Sequence, residues 1–136
     1  HFNPDAEPSE DVFVKDLTQR MRVADGLIVS TPEYAHGVPG TLKNALDWLV
    51  GTDALIEKPI ALLHASNRST HEPRSLIEIL TTMSGLHVAK ADVTIDLRRN
   101  DQEADAILLD ESNHAKIQAS LAILSQFILG RGSMRA

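Results

Sequence analysis

The sequence predicts an α/β domain in which a parallel sheet is covered by helices on both faces. Three observations predict it. Apolar runs of strand length, GLIVS (26–30) and PIALLHAS (59–66), alternate with segments of helical periodicity. Those runs are continuously apolar rather than alternating, as expected of strands buried on both sides. The 136 residues, 43% of them apolar, suffice for one domain (1–136) with a core of its own.

The elements follow in order. A first helix is expected over 9–23, capped by Ser9, with Phe13, Leu17 and Met21 recurring every four residues on one face. GLIVS is the first strand, and Thr31-Pro32 stops it because proline cannot donate to a ladder. A helix over 39–50 follows and is closed by Gly51. PIALLHAS is the second strand. Leu76, Ile77, Leu80 and Met83 mark the face of a third helix that Gly85 ends. The segment 87–97 contains a strand at Val93-Thr94-Ile95. Residues 98–110 are polar and read as a surface loop. Ile117, Leu121, Leu124 and Ile128 form the stripe of a last helix.

The chain opens on HFNPDAEPSE, with no strand ahead of the first helix. GLIVS would then be a flat, apolar edge, which is an aggregation hazard. An N-terminal strand–helix–strand segment of roughly 40–50 residues is therefore expected to be missing from the sequence. The alternative is a short variant whose edge a partner covers.

Composition removes several function classes. A net charge of −6 argues against nucleic-acid binding and against adhesion to anionic membranes. No apolar run reaches the ~18 residues that a membrane span requires. Without cysteine there is no disulfide, thiol nucleophile or thiolate-held metal. A cytoplasmic protein is the expectation, and any redox chemistry falls to a bound organic cofactor.

In open parallel sheets ligands sit beyond the carboxyl ends of the strands. Two loops leave that edge, TPEYAHGVPG (31–40) and HASNRSTHE (64–72). Pro32 and Pro39 stiffen the first, Gly37 and Gly40 allow close backbone approach, and Tyr34 adds an aromatic face. The second offers Ser66, Asn67, Ser69 and Thr70, with a cation at Arg68. Such a pair suits a flat heteroaromatic ring with a polar edge, though an ordinary strand–helix turn would share several of these residues.

The stretch PEYAHGVPGTLKNALDW (32–48) closely resembles the Pro-Glu-Tyr…Pro-Gly-x-Leu-Lys-Asn-Ala-x-Asp-Trp signature of NADPH-dependent FMN reductases. The resemblance extends over essentially the whole chain. It implies a flavodoxin-like, three-layer α/β/α fold and an enzyme that passes electrons from NADPH through bound FMN to a quinone, azo compound, metal oxyanion or free flavin. It places Pro32, Glu33, Tyr34, Ala35, His36 and Gly37 in the first flavin-holding loop and Ser66, Asn67 and Arg68 in the second. Ala35 stands where the family usually carries Asn, and His36 replaces a small residue. The family's phosphate-binding turn would lie in the segment expected to be missing. No side chain is implied as acid, base or nucleophile, so no catalytic residue is assigned. A homodimer or homotetramer is implied. The alternative is a non-catalytic flavodoxin-like electron carrier or a flavin-free module, and the low aromatic content (4%) weakens the carrier reading.

Other signals have simpler readings. Six histidines show no metal-ligand spacing, so no metal is expected. Lys43 and Asp47, four apart, read as a helix ion pair rather than Asp47 pairing with Glu33 in catalysis. Arg68 and Arg74 are candidates for the 2′-phosphate of NADPH. Trp48 falls outside the apolar arc of Leu42, Ala45, Leu46, Leu49 and Val50, which marks it as a subunit contact, or else as a tryptophan tucked under a loop.

Overall fold

The computed structural model describes residues 1–8, 10–65, 72–95, 97 and 103–135. Helix α1 (Val12–Val23) is capped by Asp11, whose Oδ1 accepts from the amides of Phe13 and Val14 at 2.9 and 3.1 Å. Ser9, the expected cap, lies outside the described residues; with Asp11 as cap the helix begins three residues later than expected. That start turns Val14, Thr18, Leu17 and Met21 inward and leaves Phe13 82% exposed, so Phe13 does not belong to the apolar face.

Strand β1 (Leu27–Val29) leads through the 30–39 loop into α2 (Gly40–Leu49). Strand β2 (Pro59–His64) and α3 (Glu72–Thr82) follow. The next segment is not one strand. It is β3 (Leu86–His87), a 3-10 turn (Ala89–Ala91) and β4 (Val93–Thr94). The expected loop over 98–110 contains a short helix, α4 (Ala104–Leu109), because ADAILL has good helix formers and packs on α5 (Glu111–Arg135).

The described strands all pair in parallel. β1 lies on one side of β2, with Leu27, Ile28 and Val29 opposite Ile60, Ala61 and Leu62. β3 and β4 lie in succession on the other side, opposite Pro59–Ile60 and Leu63–His64. Side chains of β2 alternate between two cores. Ile60 and Leu62 enter a cluster with Leu46 and Leu49 of α2, Leu76 and Leu80 of α3, and Leu17 and Met21 of α1. Ala61 enters a second cluster with Val88, Ala91 and Leu124, against which Ile128 packs. The result is three layers: α1–α3, the sheet, and α5. No described helix is long and apolar enough to cross a membrane.

Gly85 does not end α3 through a positive φ; Ser84 takes that conformation at +65°. Gly85 is needed for closeness instead, since a Cβ there would lie 2.6 Å from Ile60 Cδ1 and 2.9 Å from the Leu80 carbonyl oxygen. Trp48 is also unlike its main expectation. Its indole is only 9% exposed and meets the Phe2 ring edge-on, with centroids 5.3 Å apart and planes at 87°. The Phe2 amide donates to Asn44 Oδ1 at 2.6 Å, which ties the N-terminal segment to the same helix. Trp48 is thus covered by its own chain, and the subunit-contact reading is replaced by the tucked one. A helical wheel scores only the sheet-facing arc, whereas α2 also has a second face that the N-terminal segment covers.

Candidate functional site

The parallel strands β1, β2 and β4 end at one edge of the sheet. In the loop that leaves β1 there, Tyr34 and Gly37 form an isolated antiparallel bridge, with amide-to-carbonyl distances of 3.1 and 3.0 Å in the two directions. Ala35 and His36 between them have φ of 50° and 61°. Two successive left-handed residues closed by a reciprocal pair of bonds make a tight hairpin of the I′ kind. The turn satisfies its own backbone, so the chain need not bury Tyr34 to hold it. The phenol ring is 66% exposed.

Glu33 and His36 meet within the same loop, Oε1 to Nδ1 at 3.1 Å, with the carboxylate half-buried and the imidazole 78% exposed. Of the residues expected to hold a ligand, Pro32, Glu33, Tyr34, Ala35, His36 and Gly37 therefore lie together on one edge loop. Ser66, Asn67 and Arg68 lie outside the described residues. An exposed aromatic ring on a self-sufficient turn, beside a carboxylate–imidazole pair, fits the stacking and edge hydrogen bonding that a flat heteroaromatic ring such as FMN requires. Lys43 and Asp47 form the expected ion pair along α2.

One group near the edge was not visible in the sequence. His64 ends β2, and burial pushes its imidazole below the ordinary value of 6.5; Asp92 opposes that shift and His87 adds to it. His87 Nε2 lies 2.7 Å from Asp92 Oδ2, and Asp92 Oδ1 accepts from the Leu62 amide at 2.8 Å. Spacings of 5 and 23 between His87, Asp92 and His64 match no motif, so only pairing across the sheet reveals the group. A separate cavity of about 560 Å³ opens among Glu7, Lys15, Thr18, Arg22 and Asp53. It lies against the flank of α1 and the turn that ends α2, and Arg22 there is already paired to Asp53 at 2.6 Å. It takes no part in the edge site.

Residues 1–109 match the family model described as NADPH-dependent FMN reductase. The chain belongs to the NADPH-dependent FMN reductase family. An NAD(P)H-dependent FMN reductase from Pseudomonas aeruginosa is 31% identical, over 88% of this chain and 71% of its own length. An NADH:(hydroxy)cinnamate reductase subunit from Vibrio ruber is 41% identical over 63 residues, which is 46% of this chain but only 31% of that protein. The chain thus spans less than a third of that relative. Among solved structures, the flavoenzyme NAD(P)H:(acceptor) oxidoreductase from Paracoccus denitrificans superposes with a TM-score of 0.77 at 24% identity, covering 92% of this chain and 72% of that one. This last likeness carries the flavodoxin-like fold of the family.

Proposed function

We propose that this protein is an FMN-dependent NAD(P)H oxidoreductase that reduces small-molecule acceptors. The observation that carries the reading is the edge loop Pro32–Gly37, where an exposed aromatic and a polar pair stand on a turn that needs no core. Bound FMN supplies the chemistry of accepting a hydride from NADPH and delivering electrons to the acceptor. The chain's own part is to hold and orient. Tyr34 offers a ring face or edge, Glu33 and His36 offer a polar border, and Pro32 and Pro39 limit the loop's freedom. Relatives named quinone reductase and NADPH azoreductase support quinones and azo compounds as acceptors, beside metal oxyanions and free flavin.

The reading also includes a homodimer or homotetramer in the cytoplasm; exposed Leu121 and Phe127 on α5 support assembly. Light scattering coupled to size exclusion tests that part.

Titration of FMN against its own fluorescence tests the main reading, and steady NADPH consumption with an added quinone separates the enzyme from a carrier or flavin-free module. Tyr34→Ala is expected to weaken FMN binding by about 1–2 kcal/mol while leaving unfolding unchanged, since the exposed ring contributes little to the core. A protein that never quenches flavin fluorescence would sink the assignment.

A further inference from the structure

The third strand of the sheet is broken at an informative place. At its start the ladder is regular: the amides of Leu86 and Val88 donate to the carbonyls of Lys58 and Ile60, each at 2.8 Å. In an unbroken parallel ladder the Val88 carbonyl would next accept from the Leu62 amide. Here it accepts from Ala91 instead, at 2.8 Å, because the chain winds into the 3-10 turn. Leu62 is 0% exposed, so its amide has no recourse to water. An unanswered donor at that depth is strongly disfavoured.

Asp92 supplies the missing acceptor. Its Oδ1 takes the Leu62 amide at 2.8 Å, and its Oδ2 lies 2.7 Å from His87 Nε2. Pairing then resumes at once, with Val93 and Thr94 opposite Leu63 and His64 and the Ile95 amide on the His64 carbonyl at 2.8 Å. From the other layer, Ser120 Oγ on α5 donates to the Ala91 carbonyl at 2.5 Å and holds the turn in place. Only two residues of β4 grip the carboxyl end of β2, and so short a pairing opens easily by itself. Asp92, the residue just ahead of that pairing, is the one that bridges the gap.

We propose that Asp92, steadied by His87, is a positioning residue: its carboxylate replaces a ladder carbonyl and so sets where the carboxyl end of β2, His64 and Ala65, stands on the flavin-facing edge. The proposal rests on the FMN reading above. It adds that one side of the flavin site is fixed from beneath, by a side chain that never touches the ligand. His64 lies within the field of both partners, since each shifts its titration.

Three variants of the full chain test it: Asp92→Ala, Asp92→Asn and His87→Gln. The readouts are FMN dissociation by fluorescence quenching, the absorption spectrum of bound flavin, and hydrogen exchange at the Leu62 amide. Asp92→Ala is expected to raise the FMN Kd by about tenfold, the loss of roughly one hydrogen bond's worth of binding. It should also speed Leu62 exchange and alter the bound spectrum. Asp92→Asn keeps an oxygen toward Leu62 and is expected to restore all three. His87→Gln should move them in the same direction as Asp92→Ala, and it carries the test should the alanine variant fail to fold. A folded Asp92→Ala, or a His87→Gln, that binds FMN like the parent overturns the positioning role. So does an asparagine variant as weak as the alanine one. A parent protein that binds no FMN overturns the flavin reading itself, a result distinct from either.

Discussion

Ala35 and His36 occupy a conformation that costs an L-residue with a Cβ about 1–2 kcal/mol each, yet the turn they form is closed at both ends. Strain of this kind persists where surrounding contacts demand it, and here it lies in the loop that presents Tyr34. Asparagine tolerates the left-handed region better than alanine. Ala35→Asn is therefore expected to stabilise the fold by about 0.5–1 kcal/mol, read as a higher thermal midpoint. An unchanged midpoint would mean that the turn relaxes at no cost. His64 makes a second residue-level case. Burial disfavours its protonated ring, so the folded chain takes up that proton less readily than the unfolded chain, whose histidine titrates near 6.5. Its contribution to stability is present above that pH and lost as pH falls through the lower folded value. Urea midpoints measured between about pH 7.5 and pH 5 should fall in the parent and fall less in His64→Asn. Equal slopes would assign the acid sensitivity elsewhere.

Among the elements, α2 shows how a second face escapes a periodicity count. Leu46 and Leu49 turn to the sheet, while Trp48 turns to Phe2 and Asn44 accepts the Phe2 amide. Trp48 is the protein's one tryptophan, so its emission reports on that contact alone. Phe2→Ala should shift the emission to the red and increase acrylamide quenching, with the fold retained. Trp48→Ala is expected to cost about 3 kcal/mol of stability, the scale of a large aromatic removed from a packed site. If the emission of Phe2→Ala stays that of the parent, the N-terminal segment does not cover the indole in solution. The other elements that departed from expectation share a cause. The 3-10 turn between β3 and β4 and the short α4 are each fixed by contacts with α5, in the first case through Ser120 to Ala91, 29 residues apart in sequence. Local propensity does not contain such a contact.

At the scale of the whole molecule, layer spacing depends on Gly85. It sits where α3 hands over to β3, against Ile60 in the centre of the sheet, and the nearest neighbours of an added Cβ include a backbone carbonyl that cannot swing aside. Gly85→Ala is expected to destabilise by about 1–3 kcal/mol through overpacking, measured by urea unfolding. Gly40, where an added Cβ would meet nothing within 4 Å, serves as the control, and Gly40→Ala should be near neutral or mildly favourable in its helix. Equal effects in the two variants would show that the close approach at Gly85 does not set the layer spacing.

Much of this protein was legible in the order of its residues. The continuous apolar run at Pro59–His64 marks a strand with both faces buried, the equally apolar Leu27–Val29 is a strand that leaves Ile28 44% exposed, and Leu76, Leu80 and Leu124 mark the helices that cover the sheet. These signals are local in sequence and repeat at the period of the element, so they survive without a structure. That a loop follows the first strand at Pro32 was legible too, but its tight turn at Ala35 and His36 was not, since the sequence pointed to Gly37 and Gly40 and neither takes a positive φ. Tertiary structure alone decided the rest. Trp48 faces Phe2, and Asp92 answers the amide of Leu62 thirty residues away. Each of these is settled by a donor, acceptor or ring that must find its partner across the fold, and no spacing along the chain records which partner becomes its neighbour once the layers close.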